Sequence, residues 1–281
     1  MIVVKTVQEL KDNIWAYKQG NQTIGFVPTM GYLHEGHRRL LEEARKENDI
    51  VVLSVFVNPL QFGVGEDYES YPRDEERDEE VAKKAGVDVL FLPPVQEMYP
   101  TNPSYSVSVK SRVNVLCGKT RAGHFDGVAT VLTKLFNLIL PDRAYFGMKD
   151  AQQVAVVEGL VKEFNFPLVV IPVETMREED GLAKSSRNVY LTSHERHEAP
   201  TIYRSLLQAK RAILEGCHNQ EEIKSVIKAE IQSKTSGQID YIEILSYPEL
   251  SELMKLKGRI IIAVAVKFSK ARLIDNITFQ L

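Results

Sequence analysis

Two histidines, His34 and His37, stand three residues apart with Gly36 between them, in a stretch (26–37) that reads FVPTMGYLHEGH. An apolar run, residues 24–27, feeds Pro28-Thr29-Met30-Gly31, and a helical pattern begins at His37. In α/β sheets this is where phosphates bind, because unpaired backbone N–H groups of a helix N-terminus face the carboxyl end of a strand. Imidazoles placed there can donate to phosphate oxygens and to the charge that grows on them during reaction. Glu35 makes the stretch look like a shortened zinc motif. That motif, however, needs histidines at i and i+4, so phosphate binding is expected and a protein metal site is not.

Three further segments carry chemistry of the same kind. Phe146-Gly147-Met148-Lys149-Asp150-Ala151-Gln152-Gln153 again ends a strand pattern and opens a helix. Gly147 permits close backbone approach, Lys149 offers a compact cation, and Asp150 is placed to cap the helix. Gln153, one turn in, can hold a hydroxyl or carboxylate. Asn58-Pro59-Leu60-Gln61-Phe62-Gly63 ends another strand pattern and puts Gln61 over the same crevice. Lys184-Ser185-Ser186-Arg187-Asn188 combines two hydroxyls, a guanidinium and backbone N–H groups, a good clamp for a triphosphate. Arg121-Ala122-Gly123-His124-Phe125-Asp126-Gly127 reads either as a cationic cover for an anion or as a plain loop with Asp126 as helix cap. Gly118-Lys119-Thr120 imitates the end of a Walker A loop, but position 113 is valine where that loop needs glycine.

These segments must be positioned by strands and helices. Residues 24–27, 50–57, 87–92, 143–146 and 168–173 read as strands, several continuously apolar as parallel strands covered on both faces are. Helical patterns at 37–47, 74–85, 128–140 and 150–164 alternate with them. The alternation predicts an α/β fold: a Rossmann-like, doubly wound parallel sheet. From about residue 195 the pattern changes to helices at 194–214 and 220–233 and strands at 239–245, 259–268 and 272–275, a smaller α+β unit. The boundary is expected near 175–180.

Composition sets the class. The chain has 281 residues, 44% apolar and 26% charged, with net charge −3. It carries no concentrated basic block of the kind a nucleic-acid binder needs. The mixed run 74–80 reads as a solvated helix face. Two distant cysteines, Cys117 and Cys217, fit a reducing cytoplasm. The longest greasy segment, 131–140, contains Lys134 and Asn137, so no membrane span is expected. Taken from the residues alone, an acid-activating ligase, a nucleotidyltransferase acting on a phosphorylated acceptor, and a non-catalytic nucleotide binder all remain open.

Six segments in order, PTMGYLHEGH (28–37), NPLQFG (58–63), YPRD (71–74), RAGHFDGV (121–128), FGMKDAQQ (146–153) and DGLAKSSRN (180–188), resemble the pantothenate synthetase (pantoate–β-alanine ligase) family of the His-x-Gly-His nucleotidyltransferase-like superfamily. The resemblance implies ATP-dependent activation of (R)-pantoate to pantoyl adenylate with release of pyrophosphate. Attack by β-alanine would then give pantothenate and AMP, in coenzyme A biosynthesis. It implies Mg²⁺ with the ATP, a cytoplasmic homodimer formed through the N-terminal domain, and no nucleic-acid or membrane partner. A nucleotide- and pantoate-binding domain is implied over 1–176 and a smaller lid domain over 177–281.

By the same resemblance, Met30, Gly31, Tyr32, Leu33, His34, Glu35, Gly36 and His37 line the ATP site, with His37 as proton donor. Gly147, Met148, Lys149 and Asp150 contact the nucleotide, and Met176 makes an adenine-side backbone contact. Lys184, Ser185, Ser186 and Arg187 grip the β- and γ-phosphates. Gln61 and Gln153 hold pantoate. The catalytic set is His34, His37, Lys149 and Arg187, and Asp78 is a candidate contact to the metal, which is otherwise held by phosphates and water. Met148, Ala151 and Lys184 depart from the family's common residues, and none of these changes removes a phosphate ligand.

Overall fold

The computed structural model describes residues 1–63 and 65–281. The chain divides into two compact units, one formed by 1–148 with 156–174 and the other by 149–155 with 175–281.

The first unit holds a six-stranded parallel sheet. In chain order it contains β1 (Ile2–Val4), α1 (Val7–Gln19), β2 (Ile24–Thr29), α2 (Glu35–Glu47), β3 (Ile50–Val55), α3 (Glu75–Lys84), β4 (Val89–Phe91), α4 (Val95–Met98), α5 (His124–Ile139) and β5 (Arg143–Gly147). After them come the later turns of α6 (Ala151–Glu163) and β6 (Val169–Val173). The strand order is β1-β4-β3-β2-β5-β6. Strand order therefore reverses between β2 and β5, and such a switch point is where ligands bind in open α/β sheets.

Pro28 sharpens the crevice there. The sequence pattern ends the strand before this proline, yet β2 continues through Thr29 against Val55 of β3. Backbone groups of a parallel strand alternate between its two neighbours. The Thr29 carbonyl accepts from Phe56 N–H on the β3 side, so Pro28 faces β5. Pairing with β5 stops at Phe26–Ala144, so the missing proline N–H costs no ladder bond. The sheet opens between β2 and β5 just where the two candidate phosphate segments leave it.

Core packing explains the strands. Val27, Leu53, Leu90 and Tyr145 meet Leu40, Leu41 and Ala44 of α2 in one buried cluster. The first strand and helix were not among the sequence-predicted elements, although Thr6 and Glu9 carry the capping-box signature and form that box around the start of α1. Helix α5 begins at His124 rather than near 128: Gly123, at φ +79°, turns the chain into it. Asp126 sits in the first turn and accepts from Val109 N–H at 2.7 Å instead of capping.

The second unit contains the first turn of α6, then α7 (Ser193–Glu198), α8 (Thr201–Leu214) and α9 (Gln220–Lys234). Strands β7 (Gln238–Ser246), β8 (Arg259–Lys267) and β9 (Arg272–Gln280) form an antiparallel sheet with β8 central. Ile223, Ile227 and Ile231, spaced four apart on α9, share a core with Leu206, Ile213, Ile262 and Val264. The single helix expected over 194–214 is two helices, because Pro200 has no N–H to continue the first. Strand β9 runs five residues past the expected 275. Its polar residues hid it, but all nine pair with β8.

Candidate functional site

The His-x-Gly-His turn is assembled from its own side chains. His34 is the N-cap of α2: its Nδ1 accepts from Gly36 N–H at 3.1 Å, and His37 Nδ1 accepts from His34 N–H at 3.3 Å. This is a capping box made of two imidazoles, and the rings lie 4.0 Å apart. A ring that accepts at Nδ1 carries its proton on Nε2. Both histidines therefore bring an Nε2–H donor to a helix N-terminus at the switch point, which suits an anion and does not suit a cation.

The turn before α2 is braced from behind. Gly31 has φ +86°, and a Cβ there would lie 2.8 Å from both Asp78 Oδ2 and Val55 Cγ1, so only glycine fits. Tyr32 also has a positive φ of 50°. Asp78, only 1% exposed, accepts from Tyr32 N–H at 2.8 Å and from Leu33 N–H at 2.6 Å and so holds the strained pair. Burial pushes the Asp78 carboxyl above its ordinary range, against the downward pull of the two N–H bonds. Asp78 thus departs from the solvated face expected for 74–80. As a metal contact it is a poor candidate, since both oxygens are taken by backbone. Its position four residues before buried Ala82, on one helix face, was the available signal. Leu33 is fully buried and anchors the turn in the core.

Gln61 lies 8% exposed in a 3-10 turn, Pro59–Gln61, directly after β3 and Asn58. Its amide orientation follows from fixed backbone partners. Asn58 Oδ1 accepts from Leu60 N–H (3.3 Å) and Tyr99 O–H (3.0 Å), while its Nδ2 donates to the Gly127 carbonyl and to Gln61 Oε1, both at 3.0 Å. Gln61 must therefore turn its oxygen to Asn58, which leaves its NH₂ on the side away from Asn58. Sequence reading singled out Gln61 but not Asn58 or Tyr99, which aim it. Gly127 of α5 allows the close approach: a Cβ there would lie 2.1 Å from the Leu60 carbonyl oxygen.

Arg121, read from the sequence as a cationic cover or part of a plain loop, is engaged by a carboxylate. Its guanidinium grips Glu66 through two bonds of 2.6 and 2.7 Å. That pairing holds the Glu66 carboxyl below the usual range. His124 Nδ1 meets the Gln61 carbonyl at 2.8 Å. The segment 121–127 braces the Gln61 turn. Gly147 ends β5 beside β2, with open space around the position a Cβ would take. Met148 follows it in a 3-10 turn, Met148–Asp150.

In the second unit, Lys149 Nζ lies 3.3 Å from Asp150 Oδ1, and Gln153 is half-buried on the first turn of α6. The loop 175–190 is shaped by an antiparallel bridge of Arg177 with Ala183. Met176, 41% exposed, accepts at its carbonyl from Lys184 N–H at 2.9 Å. Lys184 Nζ pairs with Glu178 at 2.8 Å, so its charge is engaged locally. Ser185 caps a 3-10 turn by accepting from Arg187 N–H, and Ser186 is buried. Arg177 binds Asp275 through bonds of 2.6 and 2.8 Å, an arrangement no sequence pattern announced.

Among the described residues no cluster of His, Cys, Asp or Glu side chains could by itself hold a metal ion, and no helix is long and apolar enough to cross a membrane. A doubly wound sheet with proton-bearing imidazoles at a helix N-terminus on its switch point defines a nucleotide-handling α/β protein. The family model described as pantoate-beta-alanine ligase matches residues 2–278, and the chain belongs to that family. It is 62% identical over 281 residues to the pantothenate synthetase of Geobacillus sp. strain WCH70, covering 100% of both chains. It is 59% identical to that of Bacillus pumilus over 280 residues, covering 100% of this chain and 97% of the relative. The pantothenate synthetase of Thermus thermophilus superposes with a TM-score of 0.93 at 46% identity, with 99% of each chain covered. A Francisella tularensis pantoate-beta-alanine ligase, solved with beta-gamma ATP and beta-alanine, superposes with a TM-score of 0.80 at 37% identity, covering 99% of this chain and 97% of that one.

Proposed function

We propose that this ligase joins (R)-pantoate to β-alanine at the expense of ATP, giving pantothenate, AMP and pyrophosphate through a pantoyl adenylate, as a step of coenzyme A biosynthesis. The observation that supports the adenylation chemistry is the imidazole capping box, whose Nδ1 acceptors leave the proton of each ring on Nε2 at the helix N-terminus on the switch point.

A pantoate carboxylate oxygen attacks the α-phosphorus, the bond to the bridging oxygen breaks, and pyrophosphate leaves. Two anions meet in that step, so its barrier is mainly electrostatic, and donors fixed in advance lower it without reorganising. His34 and His37 stabilise the charge growing on the α-phosphate, and His37 donates its Nε2–H hydrogen bond on the departing side. Lys149 and Arg187 neutralise phosphate charge, with Ser185, Ser186 and Lys184 completing the grip on the β- and γ-phosphates. Residues 30–37 and 147–150 form the nucleotide site, and Met176 offers backbone to the adenine. Gln61 donates its NH₂ to an oxygen of pantoate, and Gln153 supplies a second amide. In the second step the β-alanine amine attacks the acyl carbon, AMP departs, and the ammonium proton is released.

The donor set here is made of N–H groups and cations, which fits phosphates. Mg²⁺ is accordingly proposed to be held by ATP oxygens and water, neutralising phosphate charge when bound. We further propose a cytoplasmic homodimer and a nucleotide- and pantoate-binding domain over 1–176 with a lid over 177–281. The decisive measurement is ATP–pyrophosphate exchange. Exchange that requires pantoate and proceeds without β-alanine is expected, and exchange that is absent or needs β-alanine would rule out the adenylate route.

A further inference from the structure

Strand β9 carries two buried polar residues side by side, Asp275 (5% exposed) and Asn276 (8% exposed). Buried polar groups are costly unless bonded, so their partners are informative. Asp275 accepts from both terminal NH₂ groups of the Arg177 guanidinium, and its Oδ1 also accepts from Asn276 N–H at 2.8 Å. Arg177 in turn donates to the Gly181 carbonyl at 3.1 Å and lies 3.5 Å over the Tyr203 ring. Asn276 Nδ2 donates to the Lys149 carbonyl at 2.9 Å. Two residues later, the Ala151 carbonyl accepts from Tyr247 O–H at 3.3 Å. Neighbouring residues of one strand therefore hold both segments to which phosphate contacts are assigned: the Lys149 turn and the loop leading to Ser185, Ser186 and Arg187.

We infer that Asn276 is a positioning residue for ATP. By fixing the Lys149 carbonyl it sets where the Lys149 ammonium points, and through Asp275 and Arg177 the same strand keeps that ammonium in register with the 185–187 clamp. The inference rests on the proposed role of Lys149 in phosphate binding.

The test is a double-mutant cycle in pantoate-dependent ATP–pyrophosphate exchange, using Lys149→Ala, Asn276→Leu and the double variant. Asn276→Leu removes the donor at similar volume and is expected to raise the ATP KM roughly fivefold to twentyfold, the loss of about one hydrogen bond. The pantoate KM and the rate of β-alanine attack on preformed pantoyl adenylate should stay within twofold. In the Lys149→Ala background the Asn276 substitution should add almost nothing, because groups that act as one unit are not additive. A wild-type ATP KM in Asn276→Leu, or an effect that adds fully to that of Lys149→Ala, would overturn the inference while leaving the site intact. If Lys149→Ala itself leaves exchange unchanged, the reading of Lys149 fails and the inference falls with it. Should the leucine not be accommodated, Asn276→Ser, whose hydroxyl is too short to span the bond, gives the same cycle.

Discussion

The turn at 29–37 and the segments at 149–153 and 176–188 handle charge by opposite means. In the first, donors are aimed by bonds to backbone: imidazoles cap their own helix, and buried Asp78 holds the strained backbone from the core side. In the second, cations rest against nearby carboxylates, Lys149 on Asp150 and Lys184 on Glu178. A preformed donor array costs nothing to organise when the transition state arrives. Ion pairs at a partly exposed loop are weak and exchangeable, so an incoming phosphate can replace the carboxylate. On the proposed mechanism, the first region meets the reacting phosphorus and the second the phosphate charge that departs.

The largest effect should follow His37→Ala, which removes one donor from the preformed array. A fall of roughly 10²–10³ in the exchange kcat is expected, whereas the lost cap costs only about 1 kcal/mol of stability. Normal turnover would erase the contrast between the regions. Asp78→Ala comes next. It leaves the N–H groups of Tyr32 and Leu33 without their acceptor and should cost about 2–4 kcal/mol in urea unfolding, with a raised ATP KM. A neutral result would mean the turn holds itself.

Tyr99→Phe deletes the hydroxyl that anchors Asn58 and should raise the pantoate KM roughly fivefold with the ATP KM unchanged. Equal changes in both constants would detach Tyr99 from the aim of Gln61. The second unit carries a strongly depressed carboxylate. Glu195 at the start of α7 accepts from Thr192 and Ser269 N–H, which pulls its carboxyl from 4.5 to about 2. A depressed carboxyl stabilises the fold above its unfolded value and loses that contribution as pH falls through its folded one. Glu195→Gln should therefore flatten the pH dependence of unfolding between 4.5 and about 2; an unchanged slope would assign the acid sensitivity elsewhere. The smallest effect is expected of Lys184→Met, about twofold to threefold in the ATP KM, since phosphate must displace Glu178 before it gains this ammonium. An unchanged KM would show that the cation stays with its carboxylate.

Much of this was legible from local pattern. The alternating strands and helices, the parallel sheet and the strand-end placement of His34, His37, Gln61 and Gly147 follow from apolar runs and from residues that punctuate them. What escaped local reading was polar and distant. Asp78 hid in a charge run of seven residues that looked uniformly solvated, because burial of one carboxylate depends on which helix face meets the sheet. Arg121 looked free until Glu66, 55 residues earlier in the chain, was placed beside it. Asp275 and Asn276 break the apolar pattern of strand β9, yet those two residues tie it to Arg177 and Lys149.

The sequence by itself determined the chemistry available: imidazoles, amides, hydroxyls and cations at turns that end strands, and an order of motifs shared with one ligase family. Only the tertiary structure decided which atoms of those groups accept, which keep their protons and which residues are braces. Hydrogen-bond direction depends on the partner each polar atom meets. Asp78 meets Tyr32 and Leu33, Asn58 meets Gly127, and Asn276 meets Lys149, each across a separation of 45 residues or more that no local periodicity encodes.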